Sequence, residues 1–277
     1  MLPGVYQAVK TNGEEYYRAS ITYLGKHISL GSYAQEEEAN QSYQLAAKVL
    51  FDSFAYTIES YPKHCILSFH KWVILINFKD NQIYFKNPIY LHKRYFFYYI
   101  DTDINLRFDV EDLFYYANHK ILKRGGHLFV SDYGMQVNIL SRYGIKNYAV
   151  CGRDYVFMNG DTYDFSYHNI AIVNKYFGVT KISQKGRTQY LAKIHINGDY
   201  LIGRFSTENE AAIAYNKAVL LLKNSGFIRN YQQNFIESIN EITYASIYQK
   251  IRVSKKLLHY IETLNIAEPS PAQDKSL

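Results

Sequence analysis

Residues 202–215 of this chain read IGRFSTENEAAIAY, and residues 30–43 read LGSYAQEEEANQSY. Both stretches contain an aliphatic-Gly-x-aromatic strand end and, shortly after it, a Glu-Ala-x-x-x-Tyr segment. The match continues upstream, where Gly4-Val5 and residues 17–21 correspond to Gly178-Val179 and residues 190–194, with only two one-residue gaps. This order of matches predicts an internal duplication.

Each copy is predicted to fold into three short strands followed by one amphipathic helix. Apolar and polar residues alternate along the strands, and the Asn-Gly pairs at 12–13 and 197–198 indicate hairpin turns. Ser206 or Thr207 can cap the second helix. Its apolar positions recur at helical spacing: Ala211, Ala214, Tyr215, Ala218, Leu221 and Leu222.

One face of each predicted sheet packs on the helix and the other, the bare face, is left for solvent or a partner. A small antiparallel sheet can lie in the DNA major groove and present its side chains to bases and phosphates. An ordinary solvated sheet face is the alternative. The candidate DNA-binding residues are Tyr6, Lys10, Arg18, Ser20, Thr22, His27 and Ser29 in the first copy, and Thr180, Lys193 and His195, flanked by Lys181, Lys185 and Arg187, in the second.

Positive charge is concentrated in the second copy. The chain has a net charge of +6, and residues 176–236 hold 8 Lys/Arg against 3 Asp/Glu. Residues 1–50 hold 4 basic and 5 acidic side chains. A local basic excess attracts polyanions such as nucleic acid.

Both copies resemble the AP2/ERF DNA-binding domain over residues 3–50 and 177–230. The resemblance implies a three-stranded sheet packed on a helix, with the bare face reading the major groove. The base or phosphate contacts that it implies are made by Tyr6, Arg18, Ser20, Thr22, His27 and Ser29 in the first copy, and by Thr180, Lys193, His195 and Leu201 in the second. The run of arginines and tryptophans typical of the plant domains is missing from this face.

The insert between the copies contains a segment that resembles the HNH homing endonucleases. Residues 155–170 match that family's pattern, and residues 108–113 and 136–140 resemble its preceding strands. Residues 108–114 are predicted to run from a strand into the start of a helix. The matching positions are Asn159, Gly160, Asp161, Asp164, Asn169 and Ile170.

The chemistry of an HNH site is not carried over. Hydrolysis needs a histidine base and a metal held by Asp and His or Asn. Val156, Phe157 and Asn138 stand at the positions of the metal aspartate, the base histidine and the family's earlier histidine. We therefore expect no catalytic residue, metal or cofactor, and expect Asp161, Asp164 and Asn169 to cap turns.

The predicted fold class is α+β, with two small modules, each a three-stranded antiparallel sheet plus a helix, around a central mixed α+β domain. The modules are residues 1–55 and 177–236, and the degenerate HNH-like domain is residues 56–176. Residues 237–265 form a C-terminal helical segment, with 244–261 at helical spacing, and 266–277 a disordered tail. Two cysteines exclude a disulfide framework. Since no apolar run reaches membrane-spanning length, no membrane span is predicted, and the first residues predict no secretory signal.

The sequence predicts a non-enzymatic protein that binds double-stranded DNA, a transcriptional or architectural regulator of bacterial or phage-like origin. It is expected in the cytoplasm, associated with the nucleoid, and not at a membrane. One alternative is an HNH-family endonuclease with a non-standard metal site drawn from His127, His168 and Asp161. Another is a protein-interaction module of mobile-element origin, and a protein partner or homodimer is left open.

Overall fold

The computed structural model describes residues 1–52, 56–132, 134–184 and 186–265, and its class is α+β, as predicted. The chain forms two compact units. The first comprises Met1–Ile139 with Phe157–Ile170, and the second comprises Leu140–Val156 with the chain from Ala171 onward. Each unit contains one of the two copies. The predicted tail, residues 266–277, lies outside the described residues.

The helices and strands follow one another in chain order. The first copy consists of β1 (Val5–Val9), β2 (Glu15–Tyr23), β3 (Lys26–Tyr33) and α1 (Glu36–Phe51). The insert contains α2 (Phe69–Asn81), β4 (Ile89–Leu91), β5 (Tyr95–Tyr99), β6 (Asn105–Asp109), α3 (Leu113–Asn118), β7 (Ile121–Arg124), β8 (His127–Asp132), β9 (Met135–Asn138), β10 (Tyr155–Phe157) and β11 (Ile170–Ile172). The second copy consists of β12 (Val179–Gln184), β13 (Arg187–His195), β14 (Asp199–Phe205) and α4 (Glu208–Asn224), followed by α5 (Glu241–Lys250) and α6 (Lys255–Asn265).

The two copies have the same topology, as the duplication predicts. Each is an antiparallel sheet in the order of its strands, and each has a β-bulge at the equivalent place, after Ala19 and after Ala192. The carbonyl of Gly4 accepts a hydrogen bond from the Ser20 amide (3.0 Å), and the Gly178 carbonyl accepts one from the Lys193 amide (2.7 Å). The repeat therefore extends to the details of the backbone.

The predicted helix cap is confirmed in α4. Thr207 Oγ1 accepts a hydrogen bond from the Glu210 amide (3.2 Å), and the Thr207 amide donates to Glu210 Oε2 (3.1 Å), which completes a capping box. At the equivalent place in α1, Gln35 makes no side-chain capping bond. Three glutamates in the first turn of α1 (36–38) interact favourably with the helix dipole instead.

The insert contains a helix that the sequence did not predict. The helix α2 begins after Ser68, whose side chain accepts a hydrogen bond from the Lys71 amide (3.3 Å). Its Trp72 is fully buried in the core of the first copy and donates its indole N–H to the Thr57 carbonyl (2.9 Å). A continuous apolar run such as residues 72–76 has no period that separates a buried strand from a buried helix.

The rest of the insert in the first unit consists of two antiparallel sheets, β4-β5-β6 and β7-β8-β9. The predicted passage from strand to helix is confirmed, since β6 leads through a 3-10 turn, Val110–Asp112, into α3. The ring of Phe108 lies 4.3 Å from the ring of Tyr116 and 5.4 Å from that of Phe165, centroid to centroid. These aromatic rings therefore form a core, which accounts for part of the chain's aromatic residues, 17% of the sequence.

The C-terminal segment forms two helices where the sequence spacing suggested one helix over residues 244–261. The break follows Ile251, and the Ser254 amide donates to the Ile202 carbonyl (2.9 Å). Leu257 and Ile261 are buried in the core of the second copy, so this segment packs on its own unit. Among the described residues, no helix is both long and apolar enough to cross a bilayer.

Candidate nucleic-acid interface

The bare face of the second copy is set by the register of its three strands. Lys193 lies opposite Leu201, and Leu191 lies between Thr180 on one side and Arg204 on the other. Side chains on these positions point away from the buried face, where Ala192, Ile194 and Ile202 pack on α4. Lys193 and Arg204 are exposed, and Leu201 is partly so.

Of the other predicted residues of the second copy, Arg187 and His195 lie on the bare face and Lys181 does not. Arg187 is exposed on the bare face at the start of β13, opposite Gln184. Lys181 pairs with Tyr190, and since neighbouring residues of a strand point to opposite faces, it lies on the side of α4 rather than beside Thr180. Lys185 lies outside the described residues. His195 Nδ1 is 2.9 Å from Asp199 Oδ1, so an acidic partner accompanies it on the face.

Sequence reasoning missed the segments that flank this face. Within the second unit, a cleft of about 930 Å³ extends from the sheet to two stretches, residues 146–154 and 229–232. Its walls carry four basic side chains, which outnumber its two carboxylates, Asp154 and Asp199. The residues that line the cleft include Lys146, Tyr148, Arg153, Lys193, Arg229 and Tyr231.

The first flanking stretch is organised around the buried carboxylate of Asp154. This carboxylate accepts hydrogen bonds from the Val150 amide (2.9 Å) and from Arg153 Nη2 (2.7 Å), and Lys146 Nζ lies 3.5 Å away. Burial raises the pKa of Asp154, but these hydrogen bonds and charges outweigh it and hold the pKa below its usual range. Asp154 therefore fixes both Lys146 and Arg153 at the cleft.

The second flanking stretch is anchored to the end of β13. Tyr231 Oη donates to the His195 carbonyl (2.8 Å), and Arg229 Nη1 donates to the Ile196 carbonyl (3.1 Å). The Arg229 guanidinium also lies 5.5 Å from the centre of the Tyr231 ring. In the sequence, Arg229 close to Tyr231 is the pattern that could have indicated a binding residue. Because these residues are far from β13 along the chain, the sequence did not show that they lie beside the sheet.

The bare face of the first copy carries less free charge. Tyr6 (57% exposed) and Arg18 lie side by side, and Thr22 lies opposite His27. Ser29 is exposed, but its neighbour Ser20 is only 8% exposed, contrary to the prediction. A serine in the middle of the sheet is short enough to be covered by longer neighbours, whereas Lys193 at the equivalent bulge is exposed.

Lys10 lies in the β1–β2 hairpin, beyond the end of β1. Its Nζ donates to Glu14 Oε2 (2.9 Å), and this hydrogen bond lowers the pKa of the exposed Glu14 carboxyl. The Asn12 side chain accepts a hydrogen bond from the Glu14 amide (3.1 Å), as expected of a turn at the Asn-Gly pair. The charge of Lys10 is thus matched within its own turn.

In the HNH-like segment, the matching polar residues bind the backbone of their own loop. Asp161 Oδ1 accepts from the Tyr163 amide (2.9 Å), Asp164 Oδ1 from the Ser166 amide (3.0 Å), and Asn169 Oδ1 from the Asn159 amide (2.8 Å). The predicted turn-capping role is confirmed.

The histidines considered for a relocated metal site are not gathered together. His127 is the first residue of β8, opposite Arg124, and His168 lies in a 3-10 turn, Tyr167–Asn169. The third candidate, Asp161, accepts the hydrogen bond from the Tyr163 amide. Over residues 1–52, 56–132, 134–184 and 186–265, no group of three or more His, Cys, Asp or Glu side chains is arranged to hold a metal ion.

No family model, curated protein or solved structure matches this chain. The resemblances to AP2/ERF domains and HNH segments rest on the residues quoted above.

Proposed function

We propose that this protein is a non-enzymatic DNA-binding protein that applies its sheet faces to double-stranded DNA, in a transcriptional or architectural role. The observation that carries the proposal is the bare face of the second copy, where Arg187, Lys193 and Arg204 are exposed on one small sheet. Basic side chains on such a sheet can bind phosphates while their neighbours meet base edges. Acting on cellular DNA would place the protein with the nucleoid in the cytoplasm.

The charge of the second copy supports an electrostatic mode of binding. Its basic excess lies on the same segment as the exposed face. At its border Arg229 adds one positive charge, and Lys146, Arg153 and Asp154 together add another. The first copy can add affinity through Arg18, because two weak sites on one chain gain avidity when both are engaged.

The test is duplex binding by Lys193→Ala and Arg204→Ala in the full-length protein. Each variant should weaken binding and reduce the slope of log K against log salt by about 0.9, the contribution of one phosphate contact. Lys223→Ala is the matched control, since Lys223 is an exposed lysine near the end of α4, the helix on the buried side of the sheet. If all three variants weakened duplex binding equally, the bare face of the second copy would not be the DNA-binding surface.

A protein-interaction module is the second candidate, and the first copy favours it. Residues 1–50 have an acidic excess, Lys10 is paired with Glu14, and Val9 and Leu24 are each 61% exposed. This function predicts that the protein binds no duplex DNA at physiological salt.

A further inference from the structure

The cleft of the second unit has an aromatic rim as well as basic walls. Tyr148 lines it and is 94% exposed. Its backbone has a φ of +64°, in the left-handed region that is unfavourable for a residue with a Cβ atom. Such a conformation persists where the surrounding structure imposes it, and it is found preferentially at binding and catalytic sites.

Hydrogen bonds of the flanking stretch impose this conformation. The Ala149 amide donates to the Lys146 carbonyl (3.2 Å), and the Asp154 amide donates to the Val150 carbonyl (2.8 Å). The Asp154 carboxylate closes the same loop by accepting from the Val150 amide. The Tyr148 ring is therefore presented to solvent by a loop whose backbone is fixed on both sides of it.

The cleft that Tyr148 lines also has cationic side chains in its walls. Arg153 is held by Asp154, Arg229 by the Ile196 carbonyl, and Lys193 extends from the sheet below. An exposed aromatic ring beside fixed cations is the combination that binds unpaired nucleotides, because a base can stack on the ring while its phosphates meet the cations. Bases in a duplex stack on one another and offer only their edges.

We propose that this cleft binds single-stranded nucleic acid, with a base stacked on Tyr148 and the backbone phosphates against Arg153, Lys193 and Arg229. The inference rests on the proposed function, since Lys193 belongs to both surfaces, but it assigns the cleft a different form of nucleic acid. A volume of about 930 Å³ lies within the range of concave ligand sites.

The test measures fluorescence anisotropy of the full-length protein with a labelled oligothymidine of about 10 nucleotides and with a mixed-sequence duplex of equal length. Tyr148→Ala should weaken single-strand binding about fivefold or more, the cost of one lost stacking contact. Tyr148→Phe keeps the ring and should bind as the wild type does. Phe114→Ala is the control, because Phe114 is an 84% exposed ring on α3 of the other unit.

Loss of single-strand affinity in Tyr148→Ala alone, with duplex affinity kept, supports the inference. Equal losses for both nucleic acids, or no loss at all, would overturn it. Duplex binding without any single-strand binding also overturns it and leaves the proposed function standing, whereas binding of neither overturns both. Circular dichroism of each variant shows that the fold is kept.

Discussion

Gly4 lies so close to the ring of Tyr43 that a Cβ atom added to the glycine would be 2.1 Å from Cδ2 of the tyrosine. Gly178 and Tyr215 repeat this contact at the same distance. The glycine at the start of each sheet and the tyrosine of each helix are therefore the two sides of one packing contact. This contact gives a physical reason for two of the positions that define the repeat in the sequence.

Gly4→Ala should lower the free energy of unfolding by about 2–4 kcal/mol, because it combines a clash with a left-handed backbone. Gly13→Ala is the matched control: Gly13 also has a positive φ (+84°) but faces open space, so about 1 kcal/mol is expected. Trp72, the only tryptophan and buried in the same core, reports the transition by fluorescence in denaturant. Equal losses in the two variants would mean that the Tyr43 contact is not tight.

Thr207→Ala should destabilise the second copy by about 1–2 kcal/mol, because it removes the cap of α4 and half of the capping box. The control is Gln35→Ala at the start of α1, where the side chain makes no capping bond and about 0.5 kcal/mol or less is expected. Far-UV circular dichroism during urea unfolding measures the change in stability of each variant. Similar effects from the two would contradict the capping assignment.

Asp164 should make the stability of the first unit depend on pH in the acid range. Burial raises the pKa of this carboxyl, but hydrogen bonds from Ser166 and the charge of Arg107 outweigh it and hold the pKa below the ordinary 3.8. The folded pKa is thus below the unfolded one, so the stabilisation is complete above the unfolded pKa and is lost as pH falls through the folded pKa.

Asp164→Asn should therefore be less stable than the wild type near neutral pH, and the difference should shrink below about pH 4. Urea midpoints by Trp72 fluorescence at several pH values measure it. Asp103→Asn removes an exposed carboxylate of the same unit and serves as the control for net charge. A difference between Asp164→Asn and wild type that stays constant with pH would contradict this account.

The strands and helices of the two copies could be predicted because the residues that specify each of them are close together in the sequence. Alternation along β2 and β13 gives the buried face directly, and Thr207 followed by Glu210 is a complete capping signal within four residues. The helix α2 could not be distinguished in this way, because its run from Trp72 is buried on all sides. Whether this run forms a helix or a strand depends on the surface that it packs against, and the pattern of apolar residues does not decide it.

The cleft could not be predicted, because its walls come from stretches far apart in the chain. Arg229 is held near the end of β13 by the carbonyl of Ile196, the residue that follows the strand, and Arg153 is held by the buried carboxylate of Asp154. Neither contact produces a periodic pattern in the amino-acid sequence. The buried Ser20 is a similar case, since register fixes the face of a residue but not how far its side chain extends.

The most direct measurement is binding of the full-length protein to random-sequence duplex DNA across a salt series, with and without magnesium, followed by inspection of the DNA for cuts. We predict binding that weakens as salt rises, with a log–log slope of about −0.9 for each phosphate contact, and DNA that stays intact. Absence of binding at low salt would contradict the DNA-binding account, and DNA nicked only with magnesium would contradict its non-enzymatic part.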